Sequence, residues 1–483
     1  MKNHQNIFIS LFLAIILLLV QCQPRKDQTP TEPGINETLI DKYVKSPDEN
    51  FQYEVIHQAK NDGYTYYVLR MISQKWLTVN EVDEPIWWHW VKIVVPDTIH
   101  HDTGLMWIGG GDKEDELPEK AGAILVQSAL LTHSITAEIH NIPNQDLNFI
   151  GDDYGPREED ELIAYGWRQF LEKGATDDDA IWLARFPMTK AVVRAMDAVS
   201  DVAKNEHQHN LEHYVVAGGS KRGWTTWITG AVDDRVVAIV PIVIDLLNIV
   251  PSFSHHWQAY GFWAPAVGNY VEEGIMDWMG SREFSRLLEI TGPYSYIDRY
   301  DMPKLLISAG SDEFFLPDSW QYYWGDLIGE KHVRYVPNSG HSLRETDAVE
   351  TLIAFYSEIL EDKVRPDYQW NISDQTIHVE TDMENPPAEV KLWYAENKET
   401  RDFRLDIIGQ TWKDSTLIVS PDGKYAVNLP VPEEGWKAYF VELTYDGVTP
   451  LPMKLTTGVK VLPETLPFEP FQSPDPKGEK ISN

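Results

Sequence analysis

A chain of 483 residues is longer than one typical domain, and its 43% apolar content supports a large core. A formal net charge of -34, with no basic stripe to interrupt it, argues against nucleic acid and anionic membrane surfaces as partners. The single cysteine, Cys22, leaves no intramolecular disulfide, so stability rests on burial.

Residues 1–22 read as an export signal, with an unbroken apolar stretch from Ile7 to Val20 behind Lys2. Leu19-Val20-Gln21-Cys22 resembles a bacterial lipobox, although Gln21 stands where a small residue is usual. Cys22 is therefore the candidate lipidation site, with the outer membrane or periplasm as destination and secretion otherwise. Lipidation requires a Cys22→Ala variant to lose membrane partitioning. Residues 23–42, rich in Pro, Thr and charge, read as a linker.

Residues 43–365 have the texture of an α/β domain. Segments 51–57, 64–76 and 88–95 alternate apolar and polar residues, predicting half-exposed antiparallel strands. Residues 103–108 read as a central strand ending in Gly109-Gly110-Gly111, and 122–130 as the next strand. Helices are expected over 160–173 and 178–204, with Glu158-Glu159-Asp160-Glu161 a solvated helix start.

His213-Tyr214-Val215-Val216-Ala217-Gly218-Gly219-Ser220-Lys221-Arg222-Gly223-Trp224 predicts a buried strand, a glycine-bounded serine and the start of a helix. That is the pattern of a nucleophile elbow, except that Arg222 stands where a small residue is usual and Gly223 follows one later. Ser220 is also a plausible ordinary helix N-cap, so the assignment needs a base and an orienting carboxylate. Residues 304–310 form a strand pattern running into Asp312, and 332–336 a strand pattern leading to His341. Open parallel sheets gather ligands at such strand ends, which would bring Ser220, Asp312 and His341 together. Glu313 and Asp318 compete with Asp312 for the carboxylate role; Asp312 is nearest the strand end. An oxyanion hole would draw on the Lys221 amide and on the loop of Gly109 and Gly110.

The 60 or so residues between strands 236–244 and 304–310, about 245–303, form an aromatic-rich insertion placed as a cap would be. His255, His256, Trp257 and Tyr260 are its substrate-pocket candidates, the alternative being structural hydrogen bonding and the cap's own core. Arg222 is a candidate contact for an acidic substrate, with an internal salt bridge as the rival reading. No metal motif or phosphate-cradling loop occurs, so the sequence implies no metal and no cofactor.

Gly-Gly-Ser-Lys-Arg-Gly-Trp at 218–224, Asp-Glu-Phe-Phe-Leu-Pro-Asp at 312–318 and Val-Pro-Asn-Ser-Gly-His-Ser-Leu at 336–343 resemble the PhoPQ-activated pathogenicity-related proteins. The resemblance runs from about Tyr43 to about Val461. It implies an α/β-hydrolase fold and, position by position, Ser220, Asp312 and His341 as a triad; it implies no substrate.

Residues 366–465 change to short alternating segments with turns such as Pro421-Asp422-Gly423, predicting a C-terminal all-β, immunoglobulin-like sandwich with Trp393, Trp412 and Trp436 in its core. The Pro-rich tail at 466–483 is expected to be disordered. The whole reads as an exported serine hydrolase cleaving an ester in a small molecule. A serine peptidase with the same triad, acting on peptides, and a non-catalytic binding or signalling protein on a hydrolase scaffold are the alternatives.

Overall fold

A computed structural model describes residues 37–481. The expected signal, Cys22 and residues 23–36 of the expected linker lie outside the described residues. Ordered chain begins before residue 42, because Thr38 and Asp41 form a reciprocal capping box on α1 (Leu39–Lys45).

The centre is a nine-stranded sheet of β1 (Gln52–Asn61), β2 (Tyr64–Lys75), β3 (Ile86–Pro96), β4 (Thr103–Ile108), β5 (Thr136–Ile139), β6 (His213–Gly219), β7 (Val236–Ile242), β8 (Lys304–Ala309) and β9 (Lys331–Val336). Its order is β1-β2-β3-β5-β4-β6-β7-β8-β9. The first three strands pair antiparallel, and everything from β5 to β9 is parallel. This is the α/β-hydrolase arrangement with one extra leading strand. Of the three leading strands only β1 is largely exposed; β2 and β3 are mostly buried, against the expectation of half-exposure for all three.

Five of the remaining helices flank the sheet or connect its strands: α2 (Ala123–Thr132), α3 (Glu159–Glu172), α4 (Arg185–His207), α5 (Lys221–Val232) and, after the insertion, α9 (Ala348–Leu360). The insertion holds α6 (Ile249–Tyr260), α7 (Gly268–Glu272) and α8 (Arg282–Thr291). The strand expected over 122–130 is instead α2. Its buried residues Leu125, Ser128, Ala129 and Thr132 fall at helical spacing, and an apolar run alone does not distinguish a buried helix from a buried strand. The strand itself is the four-residue β5, too short to stand out in the sequence. The helix expected over 178–204 is broken into a 3₁₀ turn at Asp178–Trp182 and α4, whose Pro187 sits in the first turn, where no amide donor is needed.

The C-terminal region forms two antiparallel sheets. One holds β10 (Tyr368–Ser373), β11 (Thr376–Thr381) and β14 (Lys424–Asn428); the other holds β12 (Glu389–Asn397), β13 (Lys413–Thr416), β15 (Trp436–Tyr445), β16 (Met453–Thr456) and β17 (Lys460–Leu462). Ile377, Val379 and Val427 from the first sheet share one buried cluster with Leu392, Val441 and Leu443 from the second, and that cluster continues into Leu352 and Phe355 of α9.

The tail departs from its expected disorder. The Phe468 amide donates to the Gln258 carbonyl at 3.0 Å, and the Phe471 ring lies 4.7 Å from Trp257 and 5.0 Å from Trp263. Two phenylalanines in an otherwise polar segment find apolar partners on and beside α6, which offsets the ordering cost.

Candidate active site

Ser220 sits between β6 and α5 with φ 57° and ψ -123°, a strained conformation for a residue with a side chain. Its amide donates to the Ile242 carbonyl at 2.8 Å and its carbonyl accepts from the Trp224 amide at 3.0 Å, so the turn is tied to β7 on one side and to α5 on the other. Close packing explains the glycines. A Cβ on Gly218 would stand 2.8 Å from the Arg222 carbonyl oxygen, and one on Gly223 would stand 2.9 Å from the Ile242 carbonyl oxygen. Gly223 thus packs the helix onto the sheet from a position one residue later than usual.

Beyond β8, Asp312 is buried, and its Oδ1 accepts from the Phe314 amide at 2.8 Å. Beyond β9, His341 places Nδ1 2.9 and 3.0 Å from the two Asp312 carboxylate oxygens. Its Nε2 is buried without a hydrogen-bond partner among the described residues. The Phe314 ring lies tilted 4.2 Å from the imidazole and Phe315 lies 5.9 Å away. Both phenylalanines also line a cavity of about 40 Å³ together with Ser220, Lys221, Trp224, Arg185 and Asp160. From the insertion, Leu246, Ile249, Phe253, Val267 and Tyr270 also line it. The rival carboxylates are occupied elsewhere: Glu313 accepts from the His341 amide at 2.6 Å, and Asp318 holds His255 and Arg401.

The profile of the PhoPQ-activated pathogenicity-related proteins matches residues 40–404, most of the chain. The chain belongs to this family. It is 37% identical over 465 residues to autocrine proliferation repressor protein A of Dictyostelium discoideum, covering 90% of this chain and 92% of that protein. Among solved structures it is similar to an acetyl xylan esterase from Paenibacillus sp. R4 at 14% identity, covering 67% of this chain and 95% of that one, with a TM-score of 0.46. It is also similar to a glucuronoyl esterase from Solibacter usitatus at 14% identity, covering 67% and 90%, with a TM-score of 0.41.

For several residues picked from the sequence of this family member, the structure favours the structural alternative over a place at the substrate. Arg222 is not free for substrate: it pairs with Glu159 and donates Nε to the Ile142 carbonyl at 2.5 Å. The acidic helix start is therefore no solvated run. Lys221 Nζ lies 2.7 Å from Glu159 and 2.9 Å from Asp160, because a buried lysine next to a second cation needs counter-charge. Burial acts to raise the Glu159 carboxyl, but Arg222 and Lys221 outweigh it and hold it at about 2.

Gly109 cannot serve an oxyanion, since its amide donates to the Ile139 carbonyl at 2.8 Å in the sheet. Gly110 is packed against the Arg222 guanidinium, and neither glycine is among the residues lining the serine cavity. The Lys221 amide, at the first position of α5, has no intrahelical acceptor to reach and remains suited to an oxyanion.

His255, His256, Trp257 and Tyr260 are likewise absent from the cavity wall. His255 Nε2 bonds Asp318 at 2.9 Å, and His256 Nε2 accepts from the Ala264 amide at 3.0 Å. Burial, with Arg404 and His255 nearby, pushes the His256 imidazole down to about 3, so it stays neutral as that bond requires. Trp257 and Tyr260 pack within the insertion and against the tail. Among the described residues no cluster of metal-ligating side chains is found.

Proposed function

We propose that this protein is a serine hydrolase whose nucleophile is Ser220, whose base is His341 and whose orienting carboxylate is Asp312. The observation that carries the reading is the His341 imidazole: Asp312 fixes Nδ1, while Nε2 stays buried and unpartnered beside phenylalanines that share the Ser220 cavity. Nε2 takes the Ser220 proton as the oxygen attacks a substrate carbonyl, and Asp312 stabilises the imidazolium. The Lys221 amide and the α5 dipole receive the oxyanion. Collapse of the intermediate returns the proton to the leaving group, and water activated by His341 then releases the acyl group.

An ester is the proposed substrate, and the two-sheet C-terminal region is proposed to be immunoglobulin-like. A fluorophosphonate probe tests the chemistry: the wild type should be labelled on Ser220, and Ser220→Ala should not. His341→Ala should lose on the order of 10⁴ or more in turnover. An unlabelled wild type overturns the reading. Turnover of peptides but not esters replaces esterase with peptidase.

A further inference from the structure

Four buried arginines in the described structure meet carboxylates: Arg157 with Asp152 and Glu273, Arg334 with Asp347, Arg401 with Asp318, and Arg404 with Asp402. Arg185 is the exception. It is 1% exposed and lines the Ser220 cavity, yet its hydrogen-bond partners are the Lys221 carbonyl at 2.7 Å and the Met188 thioether at 3.8 Å, both on Nη1. Its Nε is buried without a partner, and with both guanidinium hydrogen bonds on Nη1, no protein acceptor meets Nη2 among the described residues. The edge left over, Nε and Nη2, is a fork that matches a carboxylate with two parallel hydrogen bonds.

The carboxylate whose charge acts on Arg185, Asp160, is already engaged. Asp160 accepts from the Tyr270 hydroxyl through Oδ1 at 2.9 Å and holds Lys221 through Oδ2. Beside the serine, Glu159 and Asp160 pair with Lys221 and Arg222, which leaves Arg185 without an ion pair of its own. The Arg185 guanidinium carbon lies over the Trp224 ring, 4.6 Å from its centroid. A buried cation without a counter-ion is costly, and a ligand anion would relieve it.

We propose that Arg185 is a specificity-determining residue that receives a carboxylate on a short substrate group beside the scissile bond. The cavity size and its aromatic walls limit the apolar part to a short chain. This deepens the serine-hydrolase reading, but its test needs no turnover.

Calorimetric titration of the full chain with succinate and with succinamide provides that test. Succinate should bind at least tenfold more tightly than succinamide, Arg185→Met should abolish the preference, and Arg185→Lys should keep part of it. Asp160→Asn, which leaves Arg185 in place and removes a competing negative charge, should tighten succinate severalfold and covers the case in which Arg185→Met does not fold. Equal binding of the two ligands, or succinate affinity unchanged in Arg185→Met or in Asp160→Asn, overturns the proposal. Fluorophosphonate labelling without succinate preference would remove the carboxylate site alone; succinate preference without labelling would remove the hydrolase reading alone.

Discussion

Asp245, just past β7, is buried and accepts a hydrogen bond from each of two phenols, Tyr323 and Tyr335. Burial pushes its carboxyl up to about 7 against the opposing effect of those hydrogen bonds, with Asp312 and Asp318 adding to the rise. In the unfolded chain it titrates near about 4. Between those values the folded state keeps a proton that the unfolded chain has released, so this residue's contribution to stability declines as pH rises from about 4 to about 7 and stays low above. Asp245→Asn, neutral throughout, should flatten that limb. From pH 5 to pH 8 the variant should gain on the order of 3 kcal/mol relative to wild type in denaturant unfolding. A variant-minus-wild-type difference equal at both pH values would refute the assignment. The placement of Ser220, Asp312 and His341 just past strand ends was legible in the sequence, because each follows a strand pattern and a turn. Arg185 was not, because one arginine in a helix pattern looks solvated until the fold buries it; the signal within reach was the pair Lys221-Arg222, whose burial required the acidic run at 158–161.

The turn carrying the serine rests on where β6, α5 and β7 pack, and its glycines are not equivalent. A Cβ on Gly218 would meet backbone at 2.8 Å, and one on Gly223 would meet the Ile242 carbonyl oxygen and Ile244 Cγ2, both at 2.9 Å. On Gly219 its nearest neighbour would be Val243 Cγ2 at 3.9 Å, an ordinary contact. Gly218→Ala and Gly223→Ala should each destabilise the chain by about 1 to 3 kcal/mol and reduce Ser220 labelling, while Gly219→Ala should leave both near wild type. Thermal unfolding and probe labelling of the three variants check this; equal behaviour of all three would contradict the packing. The parallel strands were readable as apolar runs, and β5 and α2 were misread because a short strand beside a buried helix offers no periodicity to separate them.

Across the whole molecule, the boundary predicted at residue 366 marks a change of texture but not of mechanical independence. Trp412, expected inside the sandwich core, donates its indole N–H to Ser311 Oγ at 2.9 Å, and the Asn338 side chain donates to the Trp412 carbonyl at 3.0 Å. One residue from the C-terminal region thus braces both the loop before Asp312 and the loop before His341. Arg401 reaches further, to Asp318 at 2.5 Å, and Asp318 in turn holds His255 of the insertion. Burial acts to raise the Asp318 carboxyl, yet Arg401 and His255 together hold it far below the usual carboxylate range. Removing Arg401 would leave a buried carboxylate with half its compensation, a loss of about 3 to 5 kcal/mol for a broken buried pair. Arg401→Met should therefore destabilise the full chain by that amount at pH 7. Because a depressed carboxyl contributes above its unfolded value and loses that contribution as pH falls, the gap between wild type and variant should narrow below about pH 4. Denaturant unfolding at pH 7 and pH 3.5 measures both effects. A variant within about 0.5 kcal/mol of wild type at pH 7 would show that the C-terminal region contributes nothing through this pair.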